Sequence, residues 1–246
     1  MHVILMLAIL AFVLFGGLFL MCLYREKLNN PILDPLFIAA TAVFFFAWNY
    51  AAYELGWLKD GFMTLENISP YICTVILFVP FLNQKIKDYA YCAIAFFSVG
   101  MTLALFVTPA LSYLSNFRTQ ASFVEASEGS CHIIMGLYGF YLILSGRVKP
   151  SLSSWYKSVA FALSSVGFGV FLNWVFHRTN FGMNMHGKYA IYFLDIFDSF
   201  AATLLAYLLG IVGTLLLGLL AGVALDKLTR PRQSLTEAET KKEALV

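Results

Sequence analysis

Residues 127–140 read "SEGSCHIIMGLYGF". A short polar run gives way here to an apolar stretch with the character of a helix starting near 129. The first turn of that helix carries Cys131 and His132. An ionisable ring at the mouth of an apolar helix needs a physical reason, and the rest of the chain narrows the choices.

The chain has 246 residues, of which 60% are hydrophobic and 12% charged. Its mean hydropathy is +0.78. Soluble domains are about half apolar and about a quarter charged, so this composition belongs to an integral membrane protein. A formal net charge of +2 excludes a nucleic-acid partner held by clustered phosphate contacts. Cys22, Cys73, Cys92 and Cys131 form neither a CxxC pair nor a zinc spacing, and no metal or cofactor is expected.

Outward from residues 127–140, seven apolar segments are expected at about 2–24, 33–57, 68–83, 88–114, 129–146, 157–177 and 190–225. A hydrocarbon core of ~30 Å takes ~20 helical residues. Breaks such as "REKLNNP" (25–31), "NQKIKD" (83–88) and "GRVKPS" (146–151) carry loop chemistry. Lipid satisfies no free backbone groups, so the spans are helices. The expected fold is all-α, a polytopic seven-transmembrane-helix bundle over 1–228, with a polar, disordered cytoplasmic tail over 229–246. Segment 2–24 lacks a basic leader and an A-x-A site, and reads as a retained helix. Pro80 and Pro109 are expected to kink or end their helices. The aromatic residues are expected mainly on the lipid face and in interfacial belts.

Lysine and arginine set the orientation. Alternating spans put 12 of them on one side (Arg25, Lys27, Lys85, Lys87, Arg147, Lys149, Lys157 and the tail group) and 4 on the other (Lys59, Arg118, Arg178, Lys188). The N-terminus is then outside and the tail cytoplasmic. In this frame Cys73, Thr108, Cys131, His132, Asn173 and Asp195 all fall toward the outer leaflet. Ionisable groups in a bilayer are costly and usually face a bundle interior or a wet cavity. The alternatives are plain ones. His132 near a helix end can snorkel to the interface, Cys73 can be a small core hydrophobe, and Asp195 with Asp198 can be a solvated first turn. Ala202, Ala206, Gly210, Thr214, Gly218 and Gly222 recur every four residues, a stripe suited to close helix packing. It offers a helix-packing partner a surface through Ala206, Gly210, Gly218 and Gly222.

Several membrane classes recede. A retinal protein needs a lysine within its last span, and Lys188 and Lys227 lie at or beyond its ends. A voltage sensor needs a run of intramembrane arginines. Repeat-built transporters show internal symmetry, and none is visible in the chain.

The ordered segments "LENISPYIC" (65–73), "GMTLALFVTP" (100–109), "SCHIIMGLYGFYLI" (130–143), "NWVFHRTNFGMN" (173–184) and "YFLDIF" (192–197) resemble the YwaF-like bacterial integral membrane proteins. That family is similar to a eukaryotic transmembrane phospholipid acyltransferase family. Cys73, Thr108-Pro109, His132, Asn180-Phe181 and Leu194-Asp195 fall on its motif positions. Tyr71 stands where the family usually has a histidine, and Ser69-Pro70 replaces Leu-Pro. The resemblance implies acyl transfer, or ester hydrolysis, on membrane lipids of the cell membrane. Cys73 would be the nucleophile, His132 the base and Asp195 the group orienting it. Asn173, Thr108, Tyr71 and Asn180 are the candidate substrate-binding residues. Two other readings stay open: a non-enzymatic lipid or small-solute binding or transport protein, or membrane subunit of a larger complex; and a structural Cys73–Cys131 disulfide on the oxidising side.

The orientation has a direct test. A cysteine engineered into the tail beyond Lys227 should react with an impermeant thiol reagent only after the cells are permeabilised. Labelling in intact cells would invert the topology.

Overall fold

The computed structural model describes residues 3–54, 68–115, 123–175 and 200–229. They form seven α-helices, with no strand among the described residues. The helices are α1 Val3–Leu23, α2 Leu33–Glu54, α3 Ile68–Phe78, α4 Gln84–Ser115, α5 Phe123–Leu144, α6 Leu152–Val175 and α7 Phe200–Thr229. Short 3-10 turns follow α1 at Arg25–Asn29 and α3 at Val79–Phe81. The stretches 55–67, 116–122, 176–199 and the tail from 230 lie outside the described residues.

Local chemistry explains most boundaries. Asn83 Oδ1 accepts from the Ile86 N–H at the start of α4, and Ser151 Oγ accepts from the Ser154 N–H at the start of α6. Both satisfy donors that a first helical turn leaves free. Pro35 and Pro70 sit in first turns, where a missing N–H costs nothing. Pro80 falls where α3 tightens into a 3-10 turn and stops, as expected. α4 runs through Pro109 to Ser115, one residue past its expected end. Gly146 takes φ +78°, the left-handed conformation that ends helices. The Gly146 N–H bonds Ile143 O, and the Val148 N–H bonds Leu142 O.

The helix containing residues 127–140 starts about six residues earlier than its apolar pattern indicates. Polar Ser127 continues the helix by donating its hydroxyl back to Phe123 O, and Gly129 packs under Leu10 of α1. Cys131 and His132 therefore lie roughly two turns inside α5, deeper than a first turn.

α5 is the centre of the molecule and packs on α1, α2, α4 and α7. From Met135 to Leu144 its residues are buried almost without interruption, as befits a helix apolar on all sides. The aromatic residues correct the lipid-face expectation in part. Tyr138, Tyr141 and Phe96 are fully buried, while Phe12, Phe19 and Phe46 face outward. Close approach needs small residues. A Cβ at Gly218 would collide with the Phe96 carbonyl of α4, and one at Gly100 with the Thr214 carbonyl of α7. Gly136 and Gly139 of α5 likewise meet Thr102 and Ser98 of α4. The small-residue stripe of α7 thus divides: Gly218 and Gly222 are used inside the molecule, while Gly210 has open space around it.

Three helical stretches are long and apolar enough to cross a membrane: Ile4–Leu23, Leu33–Ala51 and Leu204–Thr229. Most of their large side chains point away from the core, which suits a lipid environment.

Two glycines of one helix should respond oppositely to the same change. Gly218→Ala should cost about 1–3 kcal/mol by forcing α4 and α7 apart. Gly210→Ala should gain about 0.5–1 kcal/mol from helix propensity. Thermal unfolding in detergent micelles reads both, and equal effects would refute the packing.

Candidate functional site

Two polar groups stand out, one toward each end of the bundle. The first includes three of the residues singled out from sequence. Cys73 on α3 and Cys131 on α5 are free thiols, each 1% exposed, with their sulfurs 3.4 Å apart. His132 follows Cys131, so its side chain leaves α5 ~100° around the helix. There its ring packs on Trp48 of α2 with centroids 5.7 Å apart. Its Nδ1 lies 2.8 Å from the Glu128 carbonyl oxygen. A carbonyl only accepts, so Nδ1 carries the proton, and in the neutral ring Nε2 holds the lone pair. Trp48 is buried, and its Nε1–H has no hydrogen-bond partner among the described residues. Tyr71, one turn into α3, donates to Ser165 Oγ of α6 at 2.8 Å.

The structure brings Cys73 directly against Cys131, and His132 against Trp48. The Cys73 sulfur meets the second thiol, and the His132 Nδ1 edge is filled by its own helix. Nδ1 is where the third member of a triad would bond. Thr108 and Asn173 lie on α4 and α6, and their side chains are not among the described residues. Asn180 and Asp195 fall in 176–199, outside the described residues.

The second group was not anticipated. Asp34, in the first turn of α2, accepts from Tyr138 of α5 through Oδ1 at 2.7 Å and from Tyr91 of α4 through Oδ2 at 3.0 Å. Arg147, just past α5, bonds the same Oδ2 at 2.9 Å and stands 5.7 Å from the Tyr141 ring centroid. The left-handed turn at Gly146 turns Arg147 back toward the carboxylate. Burial alone would lower the Arg147 pKa. Asp34, together with Tyr141, Tyr91 and Tyr138, more than offsets this and holds it above its usual value, so the guanidinium stays charged. Beside it, Arg25 pairs with Asp226 Oδ1 at 2.6 Å and also bonds Thr229 Oγ1 and Leu144 O. These contacts gather the C-terminal ends of α1, α5 and α7 with the N-terminal ends of α2 and α4. The loops at 25–31 and 145–151, with their lysines and arginines, thus lie at one end of the bundle.

A trace of this second group exists in the sequence. "LDP" opens an apolar helix with a carboxylate, and "GRV" closes another with a guanidinium. Neither shows that residues 113 positions apart meet.

Comparison with protein-family models, with curated proteins and with solved structures finds no significant match to this chain.

The carboxylate should dominate the second group. Asp34→Ala strands the buried Tyr138 hydroxyl, the half-buried Tyr91 hydroxyl and the Arg147 charge, at a cost of about 3 kcal/mol. Tyr91→Phe removes one donor and should cost about 1 kcal/mol. Chemical unfolding of the purified protein measures both, and similar losses would show that Asp34 is no common acceptor.

Proposed function

We propose that the chain is a YwaF-like multi-pass protein of the cell membrane, its seven-helix bundle set in the bilayer with the 11-residue α3 reaching only part of the way across, the N-terminus outside and the tail cytoplasmic. Its activity is acyl transfer from a membrane lipid, or hydrolysis of the lipid ester, through Cys73 and His132. The observation that carries this reading is the Cys73–Cys131 sulfur contact. It puts a thiol beside the residue that precedes His132, whose Nδ1 bond leaves Nε2 as the basic nitrogen.

The chemistry follows from those atoms. On lipid entry, Nε2 takes the Cys73 proton, because the thiolate is the nucleophile. The sulfur attacks the ester carbonyl, and the imidazolium returns the proton to the departing lipid oxygen. This leaves an acyl thioester on Cys73. A second lipid hydroxyl, or water, then gives its proton to Nε2, attacks the thioester and releases the thiol. The developing oxyanion needs donors, and the Trp48 Nε1–H, without a partner among the described residues, is a buried one beside the imidazole. The Asp34–Arg147 group takes no part and holds the helices together.

A second reading has its own support. Cys73 is 1% exposed and packed among apolar residues, the environment of an inert thiol. That favours a non-enzymatic lipid or small-solute binding or transport protein, or a membrane subunit of a larger complex.

Reconstituted vesicles with a labelled phospholipid separate the two. Cys73→Ser and His132→Ala should each abolish acyl transfer, and the double variant should be no worse than either, because nucleophile and base act as a unit. Transfer that survives both changes, or that never occurs with the unaltered chain, selects the non-enzymatic reading.

A further inference from the structure

The geometry points to Cys73 and Cys131 as a reversible dithiol–disulfide couple that links α3 to α5. Both are free thiols with sulfurs 3.4 Å apart. A disulfide bond is about 2.05 Å long, so the sulfurs need to close by only ~1.4 Å. The two residues are 58 positions apart and sit on different helices, so no local turn forces them together. The other two cysteines make no such contact. Cys22 lies on α1 and Cys92 on α4.

The surroundings select the oxidant. Both sulfurs are buried within the apolar core cluster, surroundings that disfavour a charged reagent. The co-reactant is therefore an uncharged disulfide that enters as the helices part. One cysteine, as thiolate, attacks the reagent, displaces one of its sulfurs as a thiol and becomes a mixed disulfide. The other cysteine then attacks the protein sulfur of that adduct and displaces the second reagent thiol. In sum two protein thiols lose two electrons and two protons, and the reagent disulfide is reduced to two thiols. A dithiol reductant runs the sequence backwards.

The couple stands on sulfur geometry alone, whereas its effect on activity rests on the acyl-transfer reading. In the linked state Cys73 has no free thiol and transfer stops.

The test uses the full chain carrying Cys22→Ser and Cys92→Ser, so that only Cys73 and Cys131 remain, and dipyridyl disulfide as the probe. The expected result is two pyridinethiones released per chain and a Cys73–Cys131 cross-linked peptide in non-reducing mass spectrometry, both undone by dithiothreitol. Adding Cys131→Ser should drop the release to one thione and leave a stable pyridyl adduct on Cys73. Recovery of the two cysteines as free thiols, or as two separate pyridyl adducts, overturns the couple. The activity arm is read on the same samples. A linked peptide with transfer reduced at least ~10-fold, and restored by reductant, supports both the couple and the nucleophile. A linked peptide with transfer unchanged leaves the couple standing and removes Cys73 as the nucleophile.

Discussion

The Asp34 carboxylate is the constraint on which the arrangement of helices turns. One side chain accepts from α4, from α5 and from the arginine that follows α5. In an apolar medium an unpaired carboxylate is prohibitively costly, and an unsatisfied hydroxyl on the buried Tyr138 is costly as well. Their mutual satisfaction is therefore an all-or-none condition. α2 must present its first turn to α5, and α5 must end where Gly146 can fold Arg147 back. The Arg25–Asp226 pair repeats this device at the ends of α1 and α7.

Away from that end, backbone proximity replaces charge. Gly100 and Gly218 let α4 and α7 approach until main chain meets main chain, and Gly136 and Gly139 make room for the Thr102 and Ser98 side chains of α4 against α5. Burying apolar surface gives little drive between helices that already sit in lipid, so dispersion and shape carry the association. α5, enclosed on most sides, is the element that places Cys131 against α3 and His132 against α2. The ~100° step between consecutive helical residues sends one group to a sulfur and its neighbour to an indole.

The sequence reveals the helices more readily than their contacts. Apolar runs and loop residues place α1, α2 and the start of α3 to within a few residues, whereas polar Ser127 hides the start of α5, α4 and α6 begin four and five residues before their expected starts, and α7 is described only from Phe200. The sulfur pair was legible only as two cysteines of similar depth, and depth carries no azimuth. The Asp34 group escaped because its members are spread over four stretches of chain. Singly, each tyrosine resembles an interfacial aromatic, and each charge resembles a loop residue. What joins them is a helix order that hydropathy does not encode. The partner of the His132 ring was equally hidden, since Trp48 reads as one more apolar residue of α2.

The 3-10 turn at Val79–Phe81 gives α3 a mechanical character unlike that of its neighbours. α3 has only 11 residues, packs mainly on α2, and ends at Pro80 in a turn with few internal bonds to resist bending. It is a short lever pivoted at one end, with Cys73 some six residues along the arm. At 1.5 Å per residue that is ~9 Å, so a tilt of about 10° carries the sulfur roughly 1.5 Å. α1, α2, α5 and α7, tied at the charged end by Arg25–Asp226 and Arg147–Asp34, cannot make that movement without breaking an ion pair.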